Sequence, residues 1–122
     1  MTPTIVCWSE IPVSNLEKAV DFYSTVFKWT MKIDTTGPVP MADFGGTDAP
    51  GGGHLYAGKP AVDGSGPTVH MVVPDALEDA MSRCEGAGGK VTSDPIPLPM
   101  GRFVYASDPD GNAIGMFEPK AA

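Results

Sequence analysis

The chain has 122 residues, of which 42% are hydrophobic and 19% charged, and a formal net charge of −7. Those totals fit one folded domain with a sizeable core and exclude a disordered chain. The acidic balance argues against nucleic acid as a partner, because phosphate recognition rests on clustered Lys and Arg. No apolar run approaches the roughly 18 residues of a membrane-crossing helix.

Thr4 to Val13 alternates, with Ile5, Cys7, Ile11 and Val13 on one face and Val6, Trp8 and Glu10 on the other. This predicts a strand covered on both sides. Ser14-Asn-Leu-Glu17 has capping-box spacing, and Leu16, Ala19, Val20, Tyr23, Val26 and Phe27 follow at helical spacing, so a helix is expected up to about Lys28. Strands are expected at 30–34, 40–44 and 54–57, with a Gly-rich loop from Gly45 to Gly53. Residues 58–67 read as a linker. The pattern then restarts: a strand at 68–73, a second capping-box spacing at Asp75 to Glu78, a helix ended by Gly86 to Gly89, and strands at 90–94, 102–106 and 113–118. Asp108-Pro-Asp-Gly111 is a turn signal.

The halves also match in letters. Val13-Ser-Asn-Leu-Glu-Lys-Ala19 parallels Val73-Pro-Asp-Ala-Leu-Glu-Asp-Ala80, and Pro38-Val-Pro-Met-Ala-Asp-Phe44 parallels Pro97-Leu-Pro-Met-Gly-Arg-Phe103. A period near 60 indicates a duplication. One domain over 1–122 is expected, with a β-α-β-β-β module at 1–57, the linker at 58–67 and a second module at 68–122. Cys7 and Cys84 read as reduced core thiols rather than as a disulfide. The N-terminus has no basic stretch followed by an apolar one, so a cytoplasmic location is expected.

Glu10-Ile-Pro-Val-Ser-Asn-Leu-Glu-Lys-Ala-Val-Asp-Phe-Tyr23, Val72 to Ala80 and Gly101 to Gly115 together resemble the vicinal oxygen chelate superfamily, which comprises glyoxalase, bleomycin-resistance and extradiol-dioxygenase proteins. The resemblance covers nearly the whole chain. It implies an α+β fold in which two tandem βαβββ modules form a cup-shaped mixed sheet with helices outside. It also implies a homodimer whose cups are completed by two chains. Metal-using members hold one divalent ion at four strand positions; bleomycin-resistance members bind a drug without chemistry.

Carried onto this chain, those four positions fall at Trp8, Gly53 or His54, Thr68 and Gly115. Trp and Gly side chains offer a metal no lone pair, and Thr is a poor ligand. No cofactor is therefore the first expectation. The alternative is a divalent metal (Fe, Mn, Zn or Ni) on a shifted set of Glu10, His54 and His70. Glu10 and His70 each lie two residues beyond a usual position, which returns to the same strand face.

Glu10 is the candidate catalytic residue, as a general base or as an acceptor for a bound ligand. Its bland alternative is a solvated carboxylate or a pair with Arg102. Trp8, Glu10, His70, Tyr56, Met100 and Arg102 are the candidate ligand-binding residues, with aromatic and Met side chains suited to planar ligands. The first functional reading is a cup that binds a small organic molecule, without nucleic acid or membrane as partner. The second is a metal-dependent lyase, isomerase or dioxygenase unlike standard glyoxalase I. The third is a partner-binding module.

Overall fold

The computed structural model describes residues 6–46, 51–62 and 65–121. Thr4 and Ile5 of the first expected strand, part of the Gly-rich loop, and Asp63 and Gly64 of the linker lie outside the described residues. The duplication is visible in the element order. The first module runs β1 (Ser9–Val13), α1 (Leu16–Phe27), β2 (Met41–Asp43) and β3 (Gly53–Ala57). The second runs β4 (Val69–Val72), α2 (Leu77–Gly86), β5 (Lys90–Val91), β6 (Ile96–Leu98), β7 (Gly101–Ser107) and β8 (Ala113–Pro119).

Each module forms its own mixed sheet, ordered β1-β3-β2 in the first and β4-β8-β7-β5 in the second, where β6 also pairs with β7. In both, the module's first strand lies parallel to its last, the crossover arrangement that a βα connection makes possible. The expected strand at 30–34 is reduced to isolated bridges, Thr30 to Gly46 and Asp34 to Met41. Its counterpart in the second module is broken instead. β5 and β6 lie along β7, and the Ser93 hydroxyl takes the Tyr105 N–H between them. Pro95, which has no N–H to give, falls in that break.

α1 packs on β2 and β3, α2 on β5 and β8, and the helices on each other. The core fills the space between, with Val13, Tyr23, Val26, Leu55, Leu77, Ala80, Val104, Ile114 and Met116 fully buried. Burying one such aliphatic side chain contributes about 1.5–3 kcal/mol. Trp29 closes one end of this core, stacked between Phe27 at 4.9 Å and Phe44 at 5.6 Å. Cys84 is buried, and that burial pushes its thiol up to about 11. Cys7, expected in the core, is exposed; it precedes β1, so no helix covers it.

Neither expected capping box forms. Asn15, not Ser14, caps α1 by accepting from Lys18 N, and Ser14 turns to Asp110 in the second module. α2 has Ala76 at its cap and no side-chain cap of its own. Glu118 of β8 supplies the acceptor for Leu77 N at 2.9 Å, which satisfies one of the free N–H groups at the helix start.

Polar contacts tie the modules together. Arg83 on α2 donates to the Val26 carbonyl near the end of α1 and grips Asp75 through two bonds at 2.8 Å. Lys28, in the left-handed conformation that ends α1, reaches the same carboxylate at 3.2 Å. Asp75 is consequently lowered from 3.8 to about 2, chiefly by the Arg83 hydrogen bonds. A depressed carboxylate contributes stability above its unfolded value and loses it as pH falls through the folded one. Part of the stability of this seam is therefore expected to disappear between about pH 4 and pH 2. Thermal melts across that window should show the decline in the wild-type chain and a flatter profile in Asp75→Asn.

Candidate functional site

The helices cover one face of each sheet and leave the other open. Alternation sends Ile11, Val13, Leu55, Met71, Val104, Ile114 and Met116 to the covered face. The register fixes what stands opposite. On the first module, Glu10 of β1, His54 of β3 and Asp43 of β2 share one row, and Pro12, Tyr56 and Met41 the next. On the second, His70, Gly115 and Tyr105 share a row, and Val72, Phe117 and Phe103 the next. Glu10 and His70 are thus equivalent positions, and so are His54 and Gly115.

The first open face is held by a chain of hydrogen bonds. Trp8 Nε1 donates to His54 Nδ1 at 2.9 Å, and His54 Nε2 lies 3.1 Å from Glu10 Oε2. An indole N–H can only donate, so Nδ1 accepts and the ring proton sits on Nε2, facing the carboxylate. His54 is 7% exposed while the Glu10 side chain is 64% exposed, so the carboxylate is the solvent-facing end of the chain. Tyr56 stands edge-on to His54, with ring centroids 6.0 Å apart.

The second open face is built on a glycine. A Cβ on Gly115 would sit 2.0 Å from His70 Nδ1, so the imidazole lies directly across β8 where a side chain would otherwise stand. There it meets Phe103 and Tyr105 edge-on at 5.1 and 5.8 Å. Beside this cluster a cavity of about 510 Å³ is lined by Thr68, Lys90, Thr92, Tyr105 and Ser107. Lys90, Thr92 and Asp43 belong to the open faces and were not among the candidates from sequence. Counting alternate residues along β2 and β5 is the signal that finds them.

Trp8, Glu10, Tyr56 and His70 therefore stand on open faces. Arg102 does not. It shares the covered face with Val104 and Ala106 and is held by Glu78 of α2 and Glu118 of β8, at 2.6 Å and 2.7 Å. Met100 sits in the turn between β6 and β7, with its carbonyl taken by Lys120 N and its side chain exposed.

The four usual metal positions do not fit a divalent ion. Trp8 is a donor already bound to His54, and Gly115 has no side chain and lies under His70. The shifted set is not assembled within one chain either. Glu10 and His54 are in contact, but His70 stands on the other sheet, and among the described residues no three His, Cys, Asp or Glu side chains gather.

Two mixed sheets, each with its first strand parallel to its last, a helix on one face and an open face on the other, define a duplicated cup-forming domain. The chain belongs to the Glyoxalase/Bleomycin resistance protein/Dioxygenase superfamily, whose family model matches residues 5–116. Among solved structures it is similar to TnmS3, an antibiotic binding protein from Streptomyces sp. CB03234, at 27% identity and a TM-score of 0.62, covering 98% of this chain and 99% of that one. A glyoxalase/bleomycin resistance protein from the same Streptomyces strain is 26% identical, with a TM-score of 0.62 over 90% of this chain and 96% of that one. A family enzyme from Burkholderia phytofirmans PsJN shares the fold, with a TM-score of 0.69 at 14% identity, over 93% and 97% of the two chains. A search of curated proteins finds no match. No helix among the described residues is long and apolar enough to cross a membrane.

Proposed function

We propose that this chain binds a flat, aromatic organic molecule in a metal-free cup, in the manner of an antibiotic-binding protein. The observation that carries this reading is the pair of aromatic open faces: Trp8 and Tyr56 on one sheet, His70 and Tyr105 on the other, with the buried Phe103 packed edge-on beneath them. Aromatic surface of this kind offers stacking area at little entropic cost. The full-length likeness to an antibiotic binding protein supports the same reading. Glu10 and Asp43 beside the rings, in a chain of net charge −7, suit a cationic or neutral ligand.

The cup is completed by a homodimer. Each module's first strand, β1 or β4, pairs on one side only among the described residues. Val6, Trp8, Val72 and Tyr105 are left 73%, 44%, 58% and 41% exposed. Apolar side chains of that size, together on open sheet faces, mark surfaces that meet a ligand or a partner.

Tryptophan emission tests the reading directly. Trp29 is packed in the aromatic stack and Trp8 is 44% exposed, so a ligand in the cup should quench Trp8 alone. Titration with planar cationic and neutral aromatic antibiotics should give saturable quenching that disappears in Trp8→Phe. Quenching that survives Trp8→Phe, or none across the panel, overturns the assignment.

A second reading rests on the Glu10–His54 contact. A carboxylate paired with a ring N–H is also the arrangement of an acid–base dyad, as a lyase or isomerase would use. Turnover of a bound ligand, lost in Glu10→Gln with binding intact, would establish it in place of simple binding.

A further inference from the structure

Trp8 stands one residue ahead of β1, next to Val6 and Cys7, which are both exposed. The β1–β3 ladder begins at Ser9, so backbone pairing gives the indole no fixed direction. Among the described residues one hydrogen bond anchors it, the 2.9 Å contact from Nε1 to His54 Nδ1. His54 is itself well fixed. It lies in the middle strand of its sheet, is 7% exposed, and is braced by Glu10 on β1 and by Tyr56 two residues along. Both of its nitrogens are spent within this chain of contacts, so it has nothing left to offer a ligand.

We propose that His54 is a positioning residue. It holds the Trp8 ring across the first open face as a preset stacking surface, and it leaves the outer oxygen of Glu10 as the hydrogen-bond acceptor beside that ring. The wall then selects flat aromatic ligands that carry a hydrogen-bond donor next to the ring. A surface fixed before binding does not charge the ligand for ordering it, which is where pre-organisation raises affinity. This inference rests on the proposed binding function, and its first measurement is made without ligand so that the two can fail separately.

The test compares His54→Asn, His54→Gln and His54→Leu with the unmodified chain. Asn places an amide where Nδ1 stood, facing Trp8; Gln reaches the position of Nε2, facing Glu10. Time-resolved emission anisotropy is read first on ligand-free protein, with Trp29 as the constant background. Trp8 should stay held in the Asn variant and gain a fast depolarising component in the Gln and Leu variants. Each protein is then titrated with 2-naphthylmethylamine and with 2-methylnaphthalene, which lacks the donor. The unmodified chain and the Asn variant should prefer the amine, and the Gln and Leu variants should bind it about tenfold more weakly, the worth of one lost hydrogen bond with its ordering. Thermal melts run alongside confirm that each variant is folded. Unchanged anisotropy in the Leu variant, or a Gln variant that holds the ring while Asn releases it, overturns the role given to His54. Failure of the unmodified chain to bind either naphthalene sinks the binding function, while the ligand-free anisotropy still decides the positioning role.

Discussion

Asp108→Ala is expected to lower the unfolding free energy by about 3–5 kcal/mol, the range for breaking a buried charged group away from its partners. The Asp108 carboxylate is 3% exposed and accepts from the Tyr23 hydroxyl at 2.8 Å, from the backbone N–H groups of Asp110 and Asn112, and from Asn112 Nδ2. The substitution strands all of these donors at once, in the turn where the second module meets the first. Asn112 would lose its orientation as well, and with it the bonds to the Pro12 carbonyl at 2.8 Å and from Ala61 N at 3.2 Å. Against a typical total of about 5–15 kcal/mol, this removes a large share of the stability. A fall in Tm of roughly 12–20 °C, at about 4 °C per kcal/mol, is the result to look for. Tyr23→Phe removes only one of the donors and should cost about 1–2 kcal/mol. It should also remove an alkaline limb of the stability profile, because burial and the neighbouring Asp108 push the Tyr23 hydroxyl well above 10. A group raised in the folded state contributes fully below its unfolded value and loses that contribution as pH climbs above it. A Tm for Asp108→Ala within 3 °C of wild type would show that the turn is not the joint between the modules.

Gly115→Ala is the second large effect, expected to cost about 1–3 kcal/mol as a case of overpacking. Its Cβ would meet His70 at Nδ1, Cε1 and Cγ, at 2.0, 2.5 and 2.7 Å, so turning the ring tip alone does not relieve it. The imidazole must leave the sheet and give up its edge-on contacts with Phe103 and Tyr105. The decisive comparison is the double variant. Once His70 has been cut to Ala the new methyl group has nothing to displace, so His70→Ala with Gly115→Ala should be scarcely less stable than His70→Ala alone. Urea melts of the four proteins in that cycle measure the coupling. Additive costs would show that His70 does not lie over Gly115.

These two sites show how far a sequence of this kind can be read. The duplication and both helices follow from periodicity, and alternation puts Trp8 and Glu10 on one shared face; which face is open, and the inward placement of Glu10 and His70, come only with the family resemblance. The same rule applied more strictly would have removed Arg102. Arg102 lies two residues before Val104 and four before Ala106, both buried apolar residues, so alternation along the strand puts all three on the covered face. The capping boxes do not form because Ser14 is engaged by Asp110 across the module boundary, and Asp75 by Arg83 of α2 and by Lys28 of the first module; cap spacing alone carries no trace of such competing partners. The strand Ile96–Leu98 is hidden for a related reason: Pro97 within the run and Pro95 and Pro99 on either side argue against a strand, but β6 lies at the sheet edge, where a missing N–H costs little. The Trp8–His54–Glu10 chain needed the β1–β3 register, which is a property of two segments and not of either one.

The turn at Asp108 also bears on how the polypeptide reaches its native state. Its bonds to the first module span 85 residues to Tyr23, 96 to Ser14 and 100 to Pro12. While the chain is being made on a ribosome, the first helix and strand emerge early and then wait for acceptors located near the other end. Until those arrive, the Tyr23 hydroxyl has no buried carboxylate to meet, and the first module stays frayed where Pro12 should be held. Contacts of such high sequence separation form late and slow the search for the native topology. The final assembly step therefore falls to the released chain, and synthesis arrested before residue 108 yields a fragment that lacks the acceptor for the Tyr23 hydroxyl.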